Sequence, residues 1–161
     1  MTITSFSGLL RSLAQHHVDF ILVGGIAAAA HGSVRATYDL DVVYARSGDN
    51  ITRIVTALRP LDPYLRGAPP GLPFSWDVET VERGLNFTLT TGLGSIDLLG
   101  EITGGGGYGD LLAHTQNVHV FDVDCLVLTL DKLIAVKRAA GRPKDLEVIA
   151  ELEAIADEQK G

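Results

Sequence analysis

The amino-acid sequence predicts an α/β (α+β) fold, in which a mixed sheet of about five strands is flanked by helices. Short β-rich runs are separated by segments whose apolar residues recur at the spacing of an α-helix. Breaks that contain glycine or proline divide most of these segments from one another. Together the two patterns favour helices and strands that share a hydrophobic core.

In the first third of the chain, helical and strand patterns follow each other closely. The predicted order is a helix over 4–17, a strand over 18–23, a short helix over 26–31, a strand over 38–44 and a helix over 49–59. The pair Gly24-Gly25 ends the first strand sharply. The alanine-rich stretch after it is a strong helix former, and the run YDLDVVY alternates as a strand does.

The rest of the chain begins irregularly and ends in helices. Residues 60–76 carry five of the six prolines, which predicts an irregular excursion. The later predictions are strands over 85–90 and 95–99 joined at Gly92-Leu93-Gly94, a flexible loop over 104–107, strands over 118–121 and 125–128, and helices near 130–140 and 143–157. No repeat or linker divides the chain, so we expect one minimal domain over 1–161, with C-terminal helices over about 130–157.

Composition excludes several classes of protein. Hydrophobic residues make up 46% and charged residues 20%, which is typical of a globular domain and argues against wholesale disorder. The single cysteine, Cys125, excludes an intramolecular disulfide and a thiolate-rich zinc site. No secretory signal pattern is present, and the most apolar run, 20–30, is about half of the roughly 20 residues that cross a bilayer. We therefore expect a soluble, cytoplasmic protein that does not enter a membrane.

The charge pattern leaves two interpretations open. A net charge of −7 argues against a general binder of polyanions. Five basic residues nevertheless lie close together with no acid between them: Lys132, Lys137, Arg138, Arg142 and Lys144. Such a patch suits a triphosphate or a short stretch of RNA, or it is simply a solvated helix face.

The pair Asp39 and Asp41 is the strongest candidate for chemistry. Side chains in a strand repeat with period two, so both carboxylates project from one face. Two carboxylates about 5–6 Å apart repel by roughly 3 kcal/mol at an effective dielectric of about 20, a cost that a bound cation can offset. Mg²⁺ typically takes one or two carboxylates together with substrate phosphates and water. The alternative is an exposed edge strand whose acids only face water.

Three neighbouring features favour the metal site. Gly24-Gly25 lets a phosphate approach the backbone at the start of a helix. Arg35 and Thr37 place a cation and a hydroxyl just before the acid pair, where they brace the carboxylates or contact phosphate. Asp97 is an isolated acid in an apolar strand, where burial without a partner is costly. As a third carboxylate it would complete a metal site and act as a base for an incoming hydroxyl.

The stretch VGGIAAAAHGSVRATYDLDVV resembles the nucleotidyltransferase superfamily that includes DNA polymerase β. It is most similar to the abortive-infection (AbiEii-type) toxin branch and its bacterial relatives, which show an apolar strand, Gly-Gly, a short helix and Arg-x-Thr-x-Asp-x-Asp. The C-terminal stretch LDKLIAVKRAAGRPKDLEVI also resembles that branch. The matching positions are Gly24, Gly25, Arg35, Thr37, Asp39 and Asp41, then Asp97, and finally Lys137, Arg142, Lys144 and Asp145.

The resemblance implies an enzyme that moves a nucleoside monophosphate from an NTP to a hydroxyl acceptor with Mg²⁺ or Mn²⁺. In that role Asp39, Asp41 and Asp97 hold metal, and the glycine pair binds the β- and γ-phosphates. Lys137, with Arg142 or Lys144, neutralises the leaving group. The acceptor is left open between tRNA, a protein and a small molecule, and a cognate toxin or antitoxin partner is implied as possible by the branch.

Two alternatives have other functions. The full toxins are longer, and most of their C-terminal acceptor-binding domain has no counterpart here. A non-catalytic, partner-binding or antitoxin-like module with the same fold would suit that difference. An ordinary α/β domain without a nucleotide site would require the whole motif to be coincidence.

Overall fold

The computed structural model describes residues 3–160. Its seven α-helices are α1 (Phe6–Gln15), α2 (Gly24–Ala30), α3 (Gly48–Leu58), α4 (Val78–Arg83), α5 (Tyr108–Leu111), α6 (Leu130–Ala140) and α7 (Pro143–Lys160). Its strands are β1 (Phe20–Val23), β2 (Asp39–Tyr44), β3 (Tyr64–Leu65), β4 (Asn86–Thr91), β5 (Gly94–Leu99), β6 (Glu101–Ile102), β7 (Gly106–Gly107), β8 (Thr115–Val120) and β9 (Val123–Leu128). Short 3₁₀ turns follow α3 and α5.

Seven strands form one mixed sheet in the order β3-β4-β5-β2-β1-β9-β8, and β6 pairs with β7 separately. β1 runs parallel to β9, and β2 runs parallel to β5. The other neighbours in the large sheet are antiparallel. β1 and β2 therefore lie at its centre, and the Asp39–Asp41 pair does not lie on an edge strand.

Helices flank the sheet in two groups. α1, α3 and α4 contact one another in sequence, and α2, α6 and α7 form the second group. Side-chain caps begin several of them: Ser47 accepts a hydrogen bond from the backbone N–H of Asn50, and Thr129 accepts one from that of Lys132. Gly141 ends α6 with a φ of +65°, a conformation that favours glycine. Pro143 follows as the first residue of α7, where its missing N–H costs nothing.

Burial along β4 and β5 shows which face of the sheet is accessible. Inward side chains alternate with accessible ones on both strands. The inward set joins the hydrophobic core and includes Phe87, Leu89, Ile96 and Leu98. The accessible set includes Thr88 and Asp97. The candidate site described below lies on this accessible face of the sheet.

The predicted fold class is confirmed, with differences in detail. The helices over 130–140 and 143–157 match α6 and α7, and the predicted turn at Gly92-Leu93-Gly94 joins β4 to β5. The large sheet has seven strands rather than about five: six correspond to the predicted strand ranges, and the irregular excursion contributes the seventh, the edge strand β3. The expected loop over 104–107 contains β7, and α4 and α5 are additional helices. These short elements carry too few residues for a period to show.

Within residues 3–160, no helix combines the length and the apolar character that crossing a bilayer requires.

Candidate active site

Strand register aligns three carboxylates on one face of the sheet. Asp41 of β2 lies directly beside Asp97 of the parallel strand β5, and Asp97 lies beside Thr88 of β4. Asp39 is two residues from Asp41 and so projects on the same side, one row away. The structure thus brings Asp97 to the acid pair, although nothing local in the sequence aligns the two strands.

The two glycines make room for this cluster. Gly24 and Gly25 are the first residues of α2 rather than a separate turn ahead of it. Gly24 has a φ of +68°, and a Cβ there would overlap the carboxylate of Asp41. A Cβ on Gly25 would overlap the side chain of Thr37. The glycines therefore let the start of α2 pack directly against the acid-bearing segment.

Arg66 also contacts the candidate site, although no pattern in the sequence points to it. It follows β3, and its Nη2 donates to Asp97 Oδ1 at 2.8 Å. Its Nη1 lies 3.7 Å from Asp39 Oδ2. The same Nη2 also donates to the carbonyl oxygens of Leu89 and Ile96, at 2.8 and 3.3 Å. Because Arg66 lies in a proline- and glycine-rich excursion, no periodicity linked it to the acids.

Asp41 is the most strongly perturbed of the three acids. Burial is the largest cause, and it acts with the charge of Asp97, a hydrogen bond to Asp97 and the charge of Asp39 to raise the pKa of Asp41 to about 7. Lys137 opposes this shift with its positive charge. Among the described residues, buried Asp41 Oδ1 has no hydrogen-bond partner. A buried carboxylate oxygen that lacks a donor is a candidate ligand for a cation.

The chemistry of these donors fits Mg²⁺ or Mn²⁺, since both prefer carboxylate oxygens and water. The side chains are not yet arranged as a complete set of ligands. Within residues 3–160, no three acidic, histidine or cysteine side chains converge as metal ligands do. Asp39 faces Arg66 instead, and its half-exposed side chain must rotate to join Asp41. Asp39 and Asp41, with Asp97 beside them, are the residues that would hold such an ion.

Two cavities meet at Asp41. The first, here called the basic cavity, has a volume of about 570 Å³ and is lined by both glycines and by the expected cations Arg35, Lys137, Arg142 and Lys144. Four acids share its walls: Asp39, Asp41, Asp145 and Glu147. The second, here called the apolar cavity, has a volume of about 370 Å³, with walls that include Val23, Leu99, Ile102, Leu133 and Val136. The residues that line both are Gly24, Asp41, Lys137, Arg142 and Asp145.

Asp145 organises the cations of the basic cavity. It is only 2% exposed and accepts hydrogen bonds from Arg142 Nε at 2.7 Å and Nη2 at 3.2 Å. Lys137 Nζ lies 3.9 Å from the carboxylate oxygen Oδ1. Burial lowers the pKa of Lys137, while the charge of Asp145 acts in the opposite direction. Asp145 thus holds two cations at the place where the cavities meet.

Arg35 and Thr37 make different contacts from those expected. Arg35 lies 3.9 Å from Glu147 and 3.7 Å from Glu151 on α7, so it braces that helix rather than the carboxylates of β2. Thr37 packs against Gly25, and its hydroxyl donates to the backbone oxygen of Asp39 at 3.4 Å. Both still line the basic cavity, so contact with a phosphate stays a prediction for each.

Two solved structures share this fold. One is the lincosamide antibiotic adenylyltransferase LnuA, solved with lincomycin bound, with a TM-score of 0.61 and 13% sequence identity over 96% of this chain and 99% of that one. The other is a candidate nucleotidyltransferase from Thermotoga maritima (TM1012), with a TM-score of 0.56 and 14% identity over 89% of this chain and 86% of that one. No protein-family model matches the sequence, and no curated protein does.

These similarities show a nucleotidyltransferase-like fold for the chain. At 13% and 14% identity they show the fold alone.

Proposed function

We propose that this protein transfers a nucleoside monophosphate from an NTP to a hydroxyl of an acceptor, with Mg²⁺ or Mn²⁺ as cofactor. One observation carries the proposal: Asp39, Asp41 and Asp97 lie together on neighbouring strands, where the basic cavity opens beside Asp41. Carboxylates next to a cation-lined cavity are what a metal-bound triphosphate requires. The nucleotidyltransferase fold of both structural neighbours supports the same reaction class.

The residues divide the work as follows. The basic cavity receives the β- and γ-phosphates, with Lys144 in its wall and with Lys137 and Arg142 held beside it by Asp145. The ion held by Asp39 and Asp41 would orient the triphosphate and neutralise its charge. Asp97 accepts the proton of the acceptor hydroxyl, whose oxygen attacks the α-phosphorus. The bond from the α-phosphorus to the β-phosphate breaks, and pyrophosphate leaves against the cations.

A small molecule is the acceptor we favour over tRNA or a protein. The apolar cavity adjoins Asp41 and is large enough for a ring system of a few hundred Å³. Among the described residues, Arg66 is the basic side chain that lies beside Asp97, and it is already paired with this carboxylate. It is therefore not free to bind a phosphate of an RNA backbone. LnuA, which is an antibiotic adenylyltransferase, matches this chain over nearly the full length of both.

One observation favours the alternative, a non-catalytic binding or antitoxin-like module. Arg66 lies between Asp39 and Asp97 and supplies a positive charge to the cluster without a metal. A module of this kind would bind an NTP, or a partner protein, without turnover.

Titration calorimetry with Mg²⁺ or Mn²⁺ and each of the four NTPs tests the proposal first. We expect metal-dependent binding by the wild type and its loss in Asp39→Asn/Asp41→Asn. The matched control is Asp49→Asn/Asp157→Asn, which removes the same charge from two exposed helix positions. Equal loss in both double variants would mean that net charge, not the site, governs binding.

A transfer assay then separates enzyme from module. α-Labelled NTPs, ATP first, are incubated with hydroxyl-bearing antibiotics, total tRNA and cell lysate. Transfer of label to a small molecule supports the proposed function with its favoured acceptor. Transfer of label to tRNA or protein supports the same reaction with a different acceptor. A stable NTP complex without transfer to any of the three supports the binding module.

A further inference from the structure

Arg66 is held at the carboxylate cluster by more than one kind of contact. Its Nη2 bridges Asp97 and the carbonyl oxygens of Leu89 and Ile96, which belong to β4 and β5. Its own backbone N–H donates to the backbone oxygen of Thr88 at 3.0 Å. The guanidinium therefore stays in place through the sheet backbone even when a carboxylate partner turns away. It is a fixed charge rather than a mobile side chain.

Its position across the sheet matters for the cluster. Thr88, Asp97 and Asp41 are paired side by side across β4, β5 and β2. The backbone hydrogen bond from Arg66 to Thr88 extends this row, so Arg66 lies beside the acids on the β4 side. Lys137 lines both cavities, and its charge acts on Asp41. Two cations therefore act on the carboxylate cluster: Arg66 on Asp39 and Asp97, and Lys137 on Asp41.

Arg46 shows what a purely structural arginine does in this fold. Its guanidinium donates to the hydroxyl of Tyr44 and to the carbonyl oxygens of Val81 and Glu82, at 2.6, 3.2 and 2.9 Å. No carboxylate is among these partners. Arg66 makes the same kind of backbone contacts but adds two acids of the candidate site.

We propose that Arg66 is a positioning residue: it fixes the orientation of Asp97 and, as a permanent cation, weakens the affinity of the acid cluster for a free divalent ion. This inference rests on the proposed function. The planar guanidinium fork reaches Asp97 Oδ1 through Nη2 at 2.8 Å, and its Nη1 lies 3.7 Å from Asp39. The positive charge repels a second cation at short range. A divalent ion then binds firmly only when a triphosphate adds its own oxygens.

The two roles predict opposite effects for one substitution. In Arg66→Gln the cluster loses a positive charge, so Mn²⁺ alone should bind about threefold tighter or more. Turnover should fall about tenfold or more, because Asp97 is no longer held toward the acceptor. Arg66→Lys keeps the charge without the fork, so Mn²⁺ affinity should stay within about twofold of wild type while turnover still falls. A residue needed only for folding would lower both quantities or neither.

The experiment titrates the full chain with Mn²⁺ alone and follows free Mn²⁺ by electron paramagnetic resonance. Wild type, Arg66→Gln, Arg66→Lys and the control Arg46→Gln are compared, each with its urea unfolding midpoint. Tighter Mn²⁺ binding in Arg66→Gln and near-wild-type binding in the other two supports the proposal. Unchanged or weaker binding in a folded Arg66→Gln overturns it. If Arg66→Gln does not fold, full wild-type turnover in Arg66→Lys overturns the positioning role.

The outcomes separate this inference from the proposed function. Nucleotidyl transfer by the wild type with unchanged Mn²⁺ affinity in Arg66→Gln overturns the inference alone. Tighter Mn²⁺ binding in Arg66→Gln without transfer by the wild type overturns the enzyme function alone. Absence of Mn²⁺ binding in every variant, both alone and together with each NTP, overturns both.

Discussion

Replacing Asp41 by asparagine should make the metal-free protein more stable at alkaline pH, although it removes a proposed metal ligand. Folding buries this carboxyl beside Asp97 and Asp39, which raises its pKa from 3.8 to about 7. A raised pKa means that the folded state binds the proton more tightly than the unfolded state does. The protonated Asp41 carboxyl therefore contributes its full stabilisation below its ordinary pKa of 3.8, and this stabilisation is lost as the pH rises through about 7.

The size of the effect follows from the two pKa values. The difference between about 7 and 3.8 corresponds to about 4 kcal/mol above neutral pH, because one pKa unit is worth about 1.4 kcal/mol. The asparagine introduced by Asp41→Asn would carry no charge to desolvate, and its amide can donate to Asp97. Desolvation of that amide offsets part of the gain, so we expect the Asp41→Asn variant to be stabilised by about 2 kcal/mol at about pH 8.

Urea unfolding in the presence of a chelator measures this gain, with the fluorescence of the single tryptophan as the probe. Trp76 is buried and its indole N–H donates to the backbone of Val55, so its emission reports loss of the core. The advantage of the variant should shrink at about pH 4.5, where the wild-type carboxyl is protonated when folded. The reasoning is refuted if the variant is less stable than wild type at about pH 8. It is also refuted if the stability advantage of the variant over wild type is the same at both pH values.

The remaining predictions concern other contacts of the site. Burial raises the pKa of Asp145, but the hydrogen bonds and charge of Arg142 outweigh burial, so the net effect lowers that pKa. Asp145→Asn should therefore lower the free energy of unfolding, measured with urea, by about 2–3 kcal/mol at about pH 8, and by less as the pH falls below 3.8. Gly24→Ala should abolish Mn²⁺-dependent NTP binding in calorimetry, because its methyl group displaces the Asp41 carboxylate. Ser33→Ala should raise the pKa of Glu151, followed by carboxyl NMR, since the Ser33 hydroxyl donates to it at 2.6 Å.

Each of these has a control or a contradicting result. Asp145→Asn has the opposite sign to Asp41→Asn at alkaline pH, so a shared direction would show a general charge effect. Gly48→Ala is the control for Gly24→Ala, because a Cβ at Gly48 meets nothing within 4 Å. Retained NTP binding in Gly24→Ala would show that the glycine is not needed for the carboxylate. An unchanged Glu151 pKa would mean that the N–H of Val34 and the charge of Arg35 supply the whole shift.

Much of the fold follows from local pattern. The helices α6 and α7 were predicted because each combines apolar spacing with a clear boundary at Gly141-Arg142-Pro143. The hairpin of β4 and β5 was predicted from two short runs joined by a glycine-containing turn. The edge strand β3 was not predicted, because its two residues lie among prolines and form a strand only by pairing with β4. Elements of two residues exist through tertiary contacts and leave no period in the sequence.

The candidate site divides in the same way. The sequence by itself determined that Asp39 and Asp41 share one face, because the side-chain period of a strand is set by its own backbone. It also determined that glycines precede them at the start of α2. Only the tertiary structure decided that Asp97 lies beside Asp41 and that Arg66 binds Asp97. Those contacts depend on strand register and loop packing between segments far apart in the chain, which no local period encodes.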